Sequence, residues 1–366
     1  MADSKKGLTY TEHLQLDKLL NCQIRRSELA GRPAHDEMLF ITVHQAYELW
    51  FKQILFELDR AQDIFDGPVV EDRDIGAVAH TLARIIEIEK LLVGQLDILE
   101  TMTPLDFLDF RDLLVPASGF QSLQFRLLET RLGLRREERL NFDERPYDAR
   151  LDKKARARLA EAEGRPSLSD QVESWLERTP FVGEAGFDFQ TAYRRAVQEM
   201  LEHEAELVQA NTSLSAAAIE KEIGSLAAAR ARFDGLFDED AHAKLRAEGR
   251  WRFSLRALQA ALFINLYRDE PALQIPFRLL SALMDIDEHF TSWRYRHALM
   301  VQRMIGRKAG TGGSSGSDYL RDTAERHRVF TDLFALSTYL IPRSRLPALP
   351  EHLRQAMGYH YAGEEV

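Results

Sequence analysis

A single cysteine, Cys22, stands among the 366 residues of this chain. That scarcity excludes an intrachain disulfide and any thiolate metal cluster. Long apolar runs are missing too. The opening residues, "MADSKKGLTY", hold no signal core, and no stretch approaches the length that spans a bilayer. These absences predict a cytoplasmic protein with no membrane partner. Positive charge is in deficit. With 48 Lys and Arg against 58 Asp and Glu, the formal charge is −10. No long basic run interrupts that balance, so nucleic acid has little electrostatic claim as a partner. Phosphate-binding signatures are also absent. The glycine-rich stretch "GRKAGTGGSSG" (306–316) does not end in Gly-Lys-Ser/Thr, and it follows a helical pattern where a dinucleotide fingerprint needs a strand.

Strand-like alternation is nearly missing, whereas helical periodicity is everywhere. Between residues 36 and 65, "DEMLFITVHQAYELWFKQILFELDRAQDIF" repeats apolar residues at spacings of three and four, and Pro68 follows as a stop. The same pattern runs through 74–102, 118–134 (with Ser118 as its N-cap), 192–211, 214–237, 280–306 and 319–341. At 45% hydrophobic and 29% charged, the chain has ample material for a core. It predicts an all-α fold, one domain over 1–366 with a bundle-like core of long helices. The charged stretch 135–169 is poor in apolar residues and reads as a solvated connection or a mobile excursion.

Three constellations carry chemical potential. Phe40, His44, Tyr47 and Phe51 share one face of their helix, an aromatic stripe holding one imidazole. Around His297, the residues Trp293, Met300, Val301 and Met304 make a second apolar face. Each histidine alone suits an ordinary core position. A lone imidazole cannot build a zinc site, but it can hold a haem iron from one side. The third is the 306–316 loop, which reads either as a flexible linker or as a lid carrying the Thr311 hydroxyl. Arg111, after Phe107 and Phe110, is the residue type that clamps a carboxylate. A di-iron carboxylate bundle fails on count. It needs two inward Glu-x-x-His pairs, and only Glu239 with His242 is present, in an acidic stretch.

Taken together, "LTYTEHLQLDKLLNCQ", "HDEMLFITVHQAYELWFKQILFELD", "ILETMTPLDFLDFRDLLVPASGFQSLQFRLLE", "WLERTP", "MDIDEHFTSWRYRHALMVQRMIGRKAGTGGSSG" and "VFTDLFALSTYLIPR" resemble the tryptophan 2,3-dioxygenase family, in family order and over nearly the whole chain. The resemblance implies a helical homotetramer with one haem b per subunit. It implies that L-tryptophan is cleaved at its indole C2–C3 bond, both atoms of O2 entering N-formyl-L-kynurenine. His297 matches the proximal iron ligand, and His44 the distal histidine that hydrogen-bonds the indole N–H. Phe40 and Phe107 match ring-wall positions, Arg111 the carboxylate-binding arginine, and Thr311 the threonine closing on the amino-acid end. Ser118 and Gly310 fall at cofactor-pocket positions. Tyr10, His13 and Leu14 lie in the segment that, in the family, enters a neighbouring subunit's pocket.

Two positions depart from the family pattern. His13 stands where a second tyrosine is usual, and Ser317 stands where an aromatic commonly follows the loop. Similar proteins in natural-product pathways insert one oxygen atom into a substituted tryptophan and give an oxindole. That outcome is the second reading, and a non-catalytic haem gas sensor or carrier is a third. The paired features Arg111 and Thr311 favour turnover over sensing, because a gas needs no amino-acid clamp.

Overall fold

The computed structural model describes residues 7–141, 146–180, 182, 187–306 and 316–358, and no strand occurs among them. The expected all-α class is what forms. Three short helices, α1 (Tyr10–Leu14), α2 (Leu16–Leu19) and α3 (Arg26–Leu29), precede two long ones, α4 (Glu37–Phe65) and α5 (Asp72–Leu99). Next come α6 (Pro104–Arg111), α7 (Leu123–Leu132), α8 (Lys153–Glu163), α9 (Leu168–Leu176) and α10 (Phe189–Ala210). They are followed by α11 (Ala216–Gly235), α12 (Glu239–Ala247), α13 (Leu255–Leu266) and the 35-residue α14 (Pro271–Ile305). The last are α15 (Gly316–Arg326), α16 (Thr331–Ala335) and α17 (Glu351–Ala356).

The spine is α4, α5 and α14. Val43, Tyr47, Phe51, Ile54, Leu58 and Ala61 recur at three and four along α4 and are all buried, the stripe a core-facing helix needs. Gln95 on α5 donates to the Val43 carbonyl at 3.0 Å, and the Tyr47 hydroxyl donates to the Leu92 carbonyl at 2.7 Å. At the other flank of α5, Arg296 of α14 reaches Asp97 at 2.6 Å and Glu100 at 3.3 Å. Gly133, at φ 134°, ends α7 where a Cβ would come within 2.6 Å of the Ser169 side chain. Only glycine permits that approach of α7 to the start of α9.

Several boundaries differ from the sequence expectation, each for a physical reason. Ser118 caps only a short 3-10 turn (Gly119–Gln121), and α7 proper starts after Ser122, whose hydroxyl accepts from the Phe125 N–H. The 319–341 pattern is not one helix. It breaks between Arg326 and Thr331, where the N–H groups of Val329 and Phe330 donate to the Asp287 carboxylate at 3.0 and 3.2 Å. α14 starts at Pro271 rather than 280 and runs through Pro276. α13 had no amphipathic signal because it is buried nearly all round. Within the charged stretch, Tyr147, Leu151 and Leu159 form a small apolar cluster with Leu127 of α7.

Glu89, on α5, is 2% exposed, and neither carboxyl oxygen finds a hydrogen-bond partner among the described residues. Burial pushes its carboxyl well above the usual range, Asp287 adds repulsion, and Arg294 opposes only part of this. The folded chain therefore keeps a proton that the unfolded chain releases above its own value near 4.5. The associated stability is present below that value and is lost as the pH rises. Glu89→Gln keeps the shape without the titration. It is expected to raise stability at neutral pH by about 1 kcal/mol or more, the gain fading toward pH 4.5. Denaturant midpoints at the two pH values check this, and an equal gain at both contradicts it.

Candidate active site

Helices α4, α6, α7, α14 and α15 wall a cavity of about 340 Å³, within the range of small-molecule sites. Six of the residues matched to cofactor or substrate roles come together there: Phe40, His44, Phe107, Arg111, Ser118 and His297. They arrive on different elements. α4 brings Phe40 and His44 on one face. α6, capped by Thr103 with Asp106 at its start, brings Phe107 and, in its last turn, Arg111. α14 brings His297 among Met300, Val301 and Met304, which also face the cavity.

The state of His44 follows from one contact. Its Nδ1 lies 2.7 Å from the Phe40 carbonyl, and a carbonyl can only accept. Nδ1 therefore carries the proton, and a neutral ring leaves Nε2 as an acceptor. The ring opens into the cavity while protein surrounds that cavity. This confinement lowers its pKa, with the Phe40 bond and the Glu48 carboxylate opposing in part. Phe40 packs on His44 with ring centres 4.1 Å apart and on Phe107 at 5.7 Å. The result is a flat aromatic wall beside one hydrogen-bond acceptor.

His297 is also held neutral. Burial, reinforced by His44, lowers its pKa to about 4. Its Nδ1 is sealed from solvent without a hydrogen-bond partner among the described residues. Nε2 is not sealed in this way, and on a neutral ring protonated at Nδ1 it keeps the lone pair that a metal could take. Among the described residues no group of three His, Cys, Asp or Glu is placed to hold a bare metal ion. A single imidazole instead suits an iron already held by a porphyrin. His242, of the di-iron alternative, is occupied structurally, donating from Nε2 to the Phe253 carbonyl at 3.0 Å.

One end of the cavity is cationic, which sequence reasoning missed. Glu129 is buried and meets Arg139 at 2.5 Å, Arg294 at 2.9 Å and Arg126 at 3.2 Å, with His327 Nδ1 3.5 Å away. Burial alone would raise the Glu129 carboxyl, but Arg139, His327, Arg126 and Arg294 hold it well below the usual range. Three guanidiniums around one carboxylate leave excess positive charge, and Arg126 and Arg294 line the cavity. Buried cations favour an anionic partner. An apolar slot with one imidazole and a cationic end fits a haem, whose edge carries carboxylates. The Arg126–Glu129 spacing on α7 was the one local hint of this cluster.

Tyr10, His13 and Leu14 do not line the cavity within this chain. Tyr10 is 74% exposed, Leu14 41%, and His13 is exposed beside them on α1. Thr311 and Gly310 lie outside the described residues, and Ser317 falls in the first turn of α15. Gly306, at φ 57°, closes α14 just before the glycine loop in a conformation that favours glycine.

Comparison with known proteins gives one answer. A family model described as "Tryptophan 2,3-dioxygenase" matches residues 1–340. A protein of that name from Bdellovibrio bacteriovorus is 51% identical over 352 residues, 96% of this chain and 98% of its own length. The namesake from Dictyostelium discoideum is 46% identical over 98% of this chain and 90% of its own. The Xenopus laevis namesake is 50% identical over 94% of this chain and 85% of its own. Such identity along nearly full length, from bacterium to vertebrate, establishes that the chain belongs to the tryptophan 2,3-dioxygenase family.

Proposed function

We propose that this protein is a haem-dependent tryptophan 2,3-dioxygenase that converts L-tryptophan and O2 to N-formyl-L-kynurenine. The observation that carries the proposal is the pairing of two neutral histidines on one cavity. His44 has a free acceptor at Nε2, and the neutral ring of His297 leaves its Nε2 for the cavity while its Nδ1 is sealed. The relatives named above carry the dioxygenase name. The oxindole-forming and gas-sensor readings gain no support from them.

In this reading His297 would hold the iron of a haem b, Arg126 and Arg294 would favour its carboxylates, and Ser118 would belong to the same pocket. Gly310, matched to a cofactor position, lies outside the described residues. Haem, when bound, supplies the iron at which O2 is activated. The chain's own residues do the rest. His44 accepts the indole N–H at Nε2 and so fixes which edge of the ring faces the reacting centre. Phe40 and Phe107 form the aromatic wall beside the indole, and Arg111 pairs with the substrate carboxylate. Thr311, which the family match assigns to the amino-acid end, lies outside the described residues. The indole nitrogen's own electrons can drive attack at the ring, so His44 serves to orient the substrate.

Because that role is orientation, His44→Ala is expected to keep its haem. It loses one neutral hydrogen bond, about 0.5–1.5 kcal/mol, or roughly two- to tenfold in turnover. Steady-state rates on haem-quantified protein check this, and loss of haem in the variant would point to a different role.

We further propose a homotetramer in which Tyr10, His13 and Leu14 complete a neighbouring pocket. The support is that α1 buries none of its residues, while Leu8, Tyr10, Leu20, Ile24 and Leu29 are each more than 60% exposed, an apolar stretch that monomers seldom leave uncovered. Light scattering is expected to return four times the 42.0 kDa chain mass. A monomer with full activity would sink this arrangement.

A further inference from the structure

An imidazole bound to a metal through one nitrogen is free to turn about that bond. Most proteins stop the rotation with a hydrogen bond from the other ring nitrogen. Among the described residues His297 Nδ1 has no such partner, so another contact must fix the ring. We propose that Trp293 is the positioning residue for His297, clamping the imidazole by stacking, and that Tyr47 anchors the clamp from the helix that carries His44. The inference rests on the reading of His297 as the iron ligand.

The geometry is specific. Trp293 lies one turn before His297 on α14, its ring centre 5.0 Å from the imidazole and the two planes only 6° apart. Trp293 is itself fixed on two further sides. Phe125 of α7 tilts against it at 5.2 Å, and Tyr47 of α4 meets it edge to face at 6.0 Å. Tyr47 is buried, and its hydroxyl is tied to the Leu92 carbonyl of α5 at 2.7 Å. Desolvation raises its pKa to about 12, so it stays a neutral donor. Tyr47 follows His44 by three residues, hence one helix presents the substrate-orienting histidine and holds the clamp on the iron-binding one. A shift of α4 would move both.

The electronic consequence follows from the same contact. A carbonyl or carboxylate at Nδ1 would draw its proton and make the imidazole a stronger donor to iron. A stacked indole offers no such acceptor. The ligand stays a plain neutral imidazole, which favours the reduced iron that an O2-using site needs.

The test uses haem-loaded protein with three variants and reads the ferrous iron–histidine stretching band, the haem midpoint potential and haem retention. Trp293→Leu removes the stack, Trp293→Phe keeps an aromatic face, and Tyr47→Phe deletes only the hydroxyl that ties the anchor to the Leu92 carbonyl. Trp293→Leu is expected to shift and broaden the band, move the potential and weaken haem binding about tenfold, the scale of losing a metal ligand's support. Trp293→Phe should restore most of this, and Tyr47→Phe should broaden the band. An unchanged band, potential and haem affinity in Trp293→Leu overturns the proposal. Should that variant not fold, a Tyr47→Phe band indistinguishable from the parent overturns it instead. His297→Ala separates the two levels. A parental band surviving there removes the ligand assignment itself, whereas its loss there alongside silent Trp293 variants removes only the clamp.

Discussion

His297→Ala is expected to give a folded protein that no longer retains haem. His297 carries the one imidazole that α14 offers to the cavity, and its neighbours Trp293, Met300, Val301 and Met304 build an apolar wall. Its low pKa keeps the lone pair free of a proton at physiological pH. Deleting the ligand should weaken haem binding by more than the roughly 10- to 100-fold that losing a ligand's supporting contact costs. The helix should survive, because alanine is the best helix former and His297 is not part of the fully buried core. Far-ultraviolet circular dichroism close to the parent, with a colourless preparation after haem-supplemented expression, is the predicted pair of results. A variant with full haem occupancy and a parental spectrum would refute the assignment.

Arg111→Ala is expected to leave haem in place and damage tryptophan turnover. The side chain lines the cavity from the last turn of α6, on the same helix as Phe107. A charge-assisted bond to a carboxylate contributes about 1.5 to 3 kcal/mol, so kcat/KM should fall roughly ten- to hundredfold. The loss should be much smaller for an indole that lacks the carboxylate. That contrast separates a substrate clamp from a general disturbance of α6. Disturbance is a fair concern, because the next residue, Asp112, pairs with Arg32. Unchanged tryptophan kinetics would eliminate the clamp.

Much of this architecture was legible in the sequence. The stripes of α4 and α14 follow from apolar spacing, and His44 and His297 stood out as single imidazoles on otherwise apolar faces. Their roles did not follow from spacing, since either fits a core histidine equally well. What decided between the readings was the joint placement of several segments. α13 was invisible to periodicity because a helix buried on all sides has no polar face to alternate with. The break at Val329 and Phe330 depended on Asp287, more than 40 residues away. The cationic end was hidden for the same reason. Glu129 meets Arg139 ten residues on but Arg294 only 165 residues on, and no local pattern announces such a meeting.

His13 is exposed on α1 and does not line the cavity within this chain. Relatives from bacterium to vertebrate carry the dioxygenase name, so insertion of both oxygen atoms is the expected outcome. The most direct test is the mass of the product formed when reduced, haem-loaded protein meets L-tryptophan under isotopically labelled O2. N-formylkynurenine carrying two labelled oxygen atoms is the predicted result. A product with one labelled atom, or no product from tryptophan itself, would contradict it and turn attention to His13 and Ser317.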